Sequence, residues 1–288
     1  MDLKKLFDEK RPQFSLEIFP PKSHIGGTET IYETLAELKE LRPAFISCTY
    51  GAGGNRADTS TVDICSIIKN KYGILPIAHL TCVNNSKEDI DAVLDLLKEA
   101  GVSNILALRG DLKPGEPPKE DFRYASELIE YIKEREPGFF ISGACYPETH
   151  PDAPSEVADI RNLKRKVDAG AEHLMSQLFF DNEDFYRFRD MCAVAGINVP
   201  IEAGIMPVTS KSSIMRMVSM CGASIPAKLA RLLNRFENDE RALEDACIAY
   251  AIDQVIDLIA NDVDGIHLYT MNKPHIAKRI FAAIDSMR

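Results

Sequence analysis

Apolar and polar positions along this 288-residue chain switch repeatedly between two periods. Short β-branched or aromatic runs occur at QFSLEIF (13–19), AFISCT (44–49), ILPIAHL (74–80), SNILALR (103–109), FFISGACY (139–146), HLMSQLF (173–179), VPIEAGI (199–205) and VDGIHLY (263–269). Each has the length and residue types of a strand. The first four begin about 30 residues apart, the length of one strand–helix unit. Between the runs the apolar spacing lengthens to that of an amphipathic helix. Ser86 and Asp89 form a capping-box pattern ahead of a stripe of Ile90, Val93, Leu94 and Leu97, with Gly101 as the stop. Asp181 is placed to cap a helix that buries Phe185, Phe188 and Cys192 and ends at Gly196. Phe122, Ala125, Leu128, Ile129 and Ile132 make a further stripe, closed by Pro137 and Gly138.

Eight strands, each followed by a helix, predict an α/β chain folded as a single (β/α)8 TIM barrel over residues 1–288. An open doubly wound sheet is the alternative, because periodicity does not show closure. The interval between the seventh and eighth strands is unusually long. It holds helical material around 211–236 and a long helix near 239–260, read as extra helices inserted within the domain because no low-complexity linker flanks them.

Charge narrows the partners. The chain has 34 basic and 44 acidic residues, a net charge of −10, so a nucleic-acid partner is not expected. No apolar run approaches the ~18 residues of a membrane span, and the first residues carry charge without the apolar core of a secretory signal. Seven cysteines include no C-x-x-C pair, and Cys48, Cys82 and Cys145 fall in apolar strand-like runs. Buried reduced thiols in a cytoplasmic protein are the expectation.

Barrel enzymes carry their chemistry at the C-terminal ends of the strands. Those ends hold Glu17, Thr49, His79, Arg109 with Asp111, Tyr146, Gln177 and Tyr269. Polar groups are costly to bury without partners, so a ring of them at equivalent positions points to a site. Glu17, inside FSLEIFPP, is the sharpest case: apolar surroundings disfavour its ionised form, which suits a general acid. A carboxylate paired with a buried cation is the structural alternative. No lysine stands at a strand's end for Schiff-base chemistry, and neither an H-x-H on the first strand nor an H-E-x-x-H is present for a metal, so no metal is expected. Gly51-Ala52-Gly53-Gly54 follows the second strand and is a weak ligand-loop signal; LRGDLKPGEPP (108–118) has the rigid composition and the place of an active-site loop. Arg161, Asn162, Lys164, Arg165 and Lys166 make a basic stretch on a helix, suited to solvent or to a diphosphate.

FSLEIFPPK (14–22), CTYGAGG (48–54), AHLTC (78–82), ALRGD (107–111), YPETHP (146–151), NLKRKVDAGA (162–171), QLFFD (177–181), GIMPV (204–208) and HLYTMNK (267–273) occur in order across nearly the whole chain. Together they resemble the methylenetetrahydrofolate reductases, in their short bacterial form. The resemblance implies bound FAD, reduced by NADH or NADPH and reoxidised by methylenetetrahydrofolate, in one-carbon metabolism and methionine synthesis. It implies Glu17 as general acid and Asp111 as a carboxylate near flavin and pterin. Flavin contacts are implied for Thr49, Tyr50, Ala52, His79, Arg109, Gly110, Asp111, Tyr124, Ala125, Tyr146, His150, Ala153, Asp159, Asn162, Arg165 and Lys166. Folate and nicotinamide contacts are implied for Gln177, Ser213, Met217, Tyr269 and Lys273. Ser213 and Met217 stand where family members often carry Gln and Phe, and Lys273 where they carry Arg; a lysine keeps the charge without the bidentate fork. A homo-oligomer or a partner subunit is compatible with the pattern. The competing expectation is a folate- and flavin-binding subunit whose flavin a partner protein reduces.

Overall fold

The structure is a computed structural model that describes residues 3–8, 11–21, 27–50, 60–112, 115 and 117–288. Eight parallel strands close in sequence order: β1 (Gln13–Ile18), β2 (Phe45–Cys48), β3 (Leu75–Thr81), β4 (Asn104–Leu108), β5 (Phe140–Cys145), β6 (His173–Ser176), β7 (Ile201–Ile205) and β8 (Gly265–Tyr269). All eight lie within the runs read from the sequence or one residue beyond them. Closure is made by β1 and β8, with Ser15 beside His267 and Glu17 beside Tyr269. The open-sheet alternative is thereby ruled out.

Strand period two divides the side chains into an outer and an inner set. On β1, Phe14, Leu16 and Ile18 join a core shared with the surrounding helices, whereas Ser15 and Glu17 reach partners on β7 and β3 across intervening strands. The inner set is polar over much of the barrel: Ser15, Ser47, Ser142, His173 and Glu202 have no exposed surface, and His267 has 1%. The N-terminal end is sealed differently. Leu3 and Leu6, from a short helix α1 (Leu3–Leu6), pack against Phe45, Ile77, Leu106, Phe140 and Met175, and Phe7 stacks on the His173 ring at 4.7 Å. Sequence periodicity did not reveal this plug, because two leucines in four residues show no period.

Helices α2 (Gly27–Lys39), α3 (Ser60–Asn70), α4 (Lys87–Glu99), α5 (Ala125–Arg135), α6 (Glu156–Asp168) and α7 (Asn182–Val194) follow the first six strands. The Ser86–Asp89 capping box forms at the start of α4, and Asp181 caps α7 through Glu183 N. Between β7 and β8 lie α8 (Lys211–Cys221), α9 (Ala227–Arg235) and α10 (Glu240–Ala260), the extra helices expected there; α11 (Pro274–Ala283) follows β8. Ile214, Leu229, Leu233, Leu243 and Cys247 of the inserted helices bury against Leu178, Phe180, Met206 and Val208. Each such side chain contributes about 1.5–3 kcal/mol when fully buried, so α8 and α9 are fixed over the β6–β7 side of the barrel mouth. No helix among the described residues is long and apolar enough to cross a membrane.

Candidate active site

Glu17 stands near the C-terminal end of β1 with its side chain 19% exposed, between two imidazoles. Its Oε2 lies 3.5 Å from His79 Nε2 on β3 and 3.7 Å from His267 Nε2 on β8. The backbone of Glu17 is held as tightly: its carbonyl accepts from Thr270 Oγ1 at 2.6 Å and from Thr270 N at 3.3 Å. One turn further out, the Asn272 carboxamide accepts from Phe19 N at 3.1 Å and donates to Phe19 O at 2.9 Å. Asn272 does this from a left-handed conformation, φ 54°, which asparagine tolerates better than most residues. Burial pushes the His79 pKa down to about 4, partly offset by the adjacent Glu17 carboxylate and reinforced by His267, so His79 is neutral near pH 7.

The other side of the mouth is built by β4, β5 and β6. Arg109 Nη1 pairs with Asp152 Oδ2 at 2.9 Å, which holds the Asp152 carboxyl below its usual pKa. Gly110 follows with φ 82°, and a Cβ there would stand 2.8 Å from Thr81 Cβ, so only glycine turns the chain this closely. Tyr146 and His150 meet edge to face at 4.5 Å, and burial raises the Tyr146 pKa while a hydrogen bond with Gln177 opposes the rise. Gln177 accepts from Leu178 N at 2.8 Å. His150 N donates to Asp159 at 2.9 Å, fixing the β5–α6 loop onto the first turn of α6. Tyr269 donates to Ser176 O at 2.6 Å, and burial lifts its pKa well above 10.

The sequence candidates are spread over the barrel mouth and its surroundings. Glu17, Thr49, His79, Arg109, Tyr146, Gln177 and Tyr269 stand at or near the C-terminal ends of the strands, as expected, with Gly110 and His150 in the loops that follow β4 and β5. Asp111 is exposed on the rim, its carbonyl accepting from Asn84 at 2.8 Å; Tyr124 stands 61% exposed ahead of α5, with Ala125 buried behind it. Tyr50 packs against the outer core, and Ala153 is half-buried in the β5–α6 loop. Ser213 closes the first turn of α8, Met217 packs in the α8–α10 cluster together with Tyr269, and Lys273 precedes α11 at its N-cap position without a side-chain capping bond. Ala52 with its glycine-rich loop, and part of the 108–118 loop, lie outside the described residues.

The basic stretch on α6 is divided by the helical period. Lys166 turns inward, donating to Ala144 O at 2.5 Å, and burial lowers its pKa; Arg165 and Asn162 hydrogen-bond each other at 3.2 Å on the exposed side. Arg161 and Lys164 instead border an outer groove with Val157, Met191 and Val194 of α6 and α7. One continuous basic patch is therefore not formed. The seven cysteines are free, six of them buried, and burial pushes Cys82 and Cys192 up to about 12, so these thiols are inert. Ser15, Ser47, Glu202, His267, Thr270 and Asn272 were not singled out by sequence reasoning. The inward position of Ser15 and Glu17 on one strand was the signal available for the first of them.

A closed barrel whose ionisable groups gather at the C-terminal mouth defines a (β/α)8-barrel enzyme scaffold. The family model of methylenetetrahydrofolate reductase matches residues 2–285, and the chain belongs to that family. It is 38% identical over 266 residues to the 5,10-methylenetetrahydrofolate reductase of Escherichia coli, covering 92% of this chain and 88% of that one. It is 37% identical to the Pectobacterium carotovorum enzyme of the same name over 270 residues, 94% and 89% of the two chains. Against methylenetetrahydrofolate reductase (NADH) 1 of Arabidopsis thaliana the identity is 35% over 94% of this chain, which spans about half, 48%, of that relative. Among solved structures, a Clostridium thermocellum protein that binds two copies of 5-methyl-5,6,7,8-tetrahydrofolic acid shares the fold, with a TM-score of 0.61 at 16% identity over 99% and 98% of the two chains.

Proposed function

We propose that residues 1–288 form one catalytic domain that reduces methylenetetrahydrofolate to 5-methyltetrahydrofolate with FAD and NADH or NADPH, as a cytoplasmic enzyme. The observation that carries this reading is Glu17, whose backbone is held at the barrel mouth by Thr270 and whose carboxyl group is flanked by His79 and His267.

The mouth fits a flavin. His79 Nε2 is buried without a hydrogen-bond partner among the described residues, which leaves it a bond to give to a polar atom of a bound flavin. Arg165 and Asn162 on the exposed side of α6, with Arg109 across the mouth, supply charge and donors for a diphosphate-bearing group. A bound flavin supplies two-electron transfer between nicotinamide and folate. This chain's residues do the rest. Glu17 gives its proton to the nitrogen that leaves as the five-membered ring of the folate opens. Asp111, on the rim, offers negative charge to the cation so formed. Gln177, Met217, Tyr269 and Lys273 are the groups this reading gives to folate and nicotinamide, with Lys273 available to the anionic tail of a folate.

Glu17→Gln tests the assignment because glutamine keeps the shape and has no acidic proton. Stopped-flow mixing under anaerobic conditions should show reduction by NADH or NADPH retained and the methylenetetrahydrofolate half-reaction slowed by roughly 10²–10⁴-fold, the scale of general acid catalysis. Equal slowing of both half-reactions would make Glu17 structural.

A further inference from the structure

Below Glu17 the barrel interior carries a second carboxyl group. Glu202 on β7 has no exposed surface, and it reaches the site through two side chains. Ser15 Oγ lies 3.0 and 3.1 Å from the two Glu202 oxygens and 2.7 Å from His267 Nδ1. The opposite nitrogen of that ring, Nε2, lies 3.3 Å from Ser47 Oγ and 3.7 Å from Glu17 Oε2. His173 stands on the far side of Glu202, with Nε2 at 3.5 Å and Nδ1 3.0 Å from Ser142 Oγ. Space for the carboxylate is made by Gly265, where a Cβ would fall 2.7 Å from Glu202 Cγ and Oε1. The His267 ring is further confined by Phe45, stacked at 6.1 Å, and by Tyr269, edge-on at 5.4 Å.

Hydrogen counting sets the direction of this chain. An ionised carboxylate only accepts, and a serine hydroxyl has one proton. With Glu202 as a carboxylate, the state the proposal takes for it, Ser15 donates to Glu202 and has only a lone pair for His267. Its 2.7 Å contact then needs a proton on His267 Nδ1, which leaves Nε2 of the neutral ring as a lone pair facing Glu17 and Ser47. A lone pair is a partner for a protonated carboxyl group and repels a carboxylate.

We propose that Glu202, acting through Ser15, is a positioning residue that fixes His267 as its Nδ1–H tautomer, so that the ring turns a lone pair, not an N–H, toward the Glu17 carboxyl group that delivers its proton to the folate. The proposal rests on the reading of Glu17 as proton donor. Proton bookkeeping at Glu202 stays constant through turnover: the proton delivered leaves Glu17 alone and is replaced there from solvent at the mouth.

The test uses the intact flavin-loaded protein labelled with 15N-histidine, with long-range 1H–15N correlation reading the His267 tautomer and His267→Asn assigning its signals. Wild type is expected to show a neutral His267 protonated on Nδ1, and Ser15→Ala to show the Nε2–H form or a mixture. The same Ser15→Ala protein should lose roughly tenfold in the methylenetetrahydrofolate half-reaction, less than the loss of the acid itself, with reduction by NADH unchanged. A wild-type His267 protonated on Nε2 alone, or on both nitrogens, overturns the proposal without any variant. An unchanged tautomer in Ser15→Ala, or equal slowing of its two half-reactions, overturns it as well. Equal slowing of both half-reactions in Glu17→Gln overturns the reading of Glu17, and with it the functional half of the proposal; the tautomer result identifies which of the two has failed.

Discussion

Gly204→Ala should destabilise the barrel although alanine is the better residue for most strands. Replacing glycine by alanine at an unstrained position gains about 0.4–1 kcal/mol by restricting the unfolded chain. At Gly204 the added Cβ would stand 2.3 Å from Ser176 O, 2.8 Å from Tyr269 Oη and 2.9 Å from Tyr269 Cε2. A carbon normally keeps about 3.3 Å from a carbonyl oxygen, so the shortfall is about 1 Å. The neighbour is backbone, held in the β5–β6 ladder where Ser176 stands beside Cys145, and cannot swing aside. Overpacking of this kind costs about 1–3 kcal/mol, and displacing Tyr269 from Ser176 O adds roughly 0.5–1.5 kcal/mol. The strain exceeds the entropic gain, and a net loss of roughly 2–3 kcal/mol is expected. Gly143→Ala is the control: its Cβ would meet Leu174 Cδ2 at 3.3 Å and Lys166 Cδ at 3.6 Å, both flexible side-chain ends, so stability should stay within about 0.5 kcal/mol. Urea unfolding followed by far-ultraviolet circular dichroism reads both. A Gly204→Ala protein that unfolds at the wild-type midpoint, or a Gly143→Ala protein equally weakened, refutes the steric reasoning.

Three further outcomes are expected. Arg165→Ala should lower flavin retention on dialysis by about 1.5–3 kcal/mol of binding while leaving the circular dichroism spectrum intact; full retention would move the diphosphate elsewhere. Asp111→Asn should raise the flavin reduction potential and slow the folate half-reaction, since it removes a negative charge and little shape; a silent substitution would make Asp111 a turn residue. His79 has a folded pKa of about 4 against 6.5 unfolded, so the stability it contributes is present above pH 6.5 and is lost as pH falls from 6.5 toward 4. That loss is of the order of 3 kcal/mol, and His79→Gln should show a correspondingly flatter fall in urea midpoint over this range; parallel curves would exclude His79 as the source.

Strands and helix caps were legible because each is written locally. Ser86 and Asp89 are three residues apart, and FSLEIF shows its two faces within six residues. Glu17 was legible because a carboxyl group in an apolar run is conspicuous alone. Glu202, in IEAGI, has the same appearance but lies next to the N-terminal end of β7, away from the strand ends where barrel chemistry is expected. Its significance depends on Ser15 and His267, 187 and 65 residues away, which meet it only when β7, β8 and β1 lie side by side. The basic stretch on α6 shows the converse. Adjacent charges looked like one patch, and the turn of the helix sent Lys166 inward and Lys164 to the outer groove. Composition carries neither distinction.

The seam between β1 and β8 also sets the order in which the site comes into being during synthesis. Glu17 leaves the ribosome early, yet its carbonyl is held by Thr270, 253 residues later, and Phe19 waits for Asn272 at the same separation. A nascent chain released before β8 has every strand up to β7 and an acidic residue with no fixed direction. Such pairing is slow because the loop must close before the contact rewards it, and the open edges of β1 and β7 stay exposed to other chains meanwhile. Truncation just before Gly265 would therefore remove β8, His267 and the Thr270 clamp on the Glu17 backbone while leaving the acid itself in place, and completion of the last strand is the step at which a folded barrel becomes a competent one.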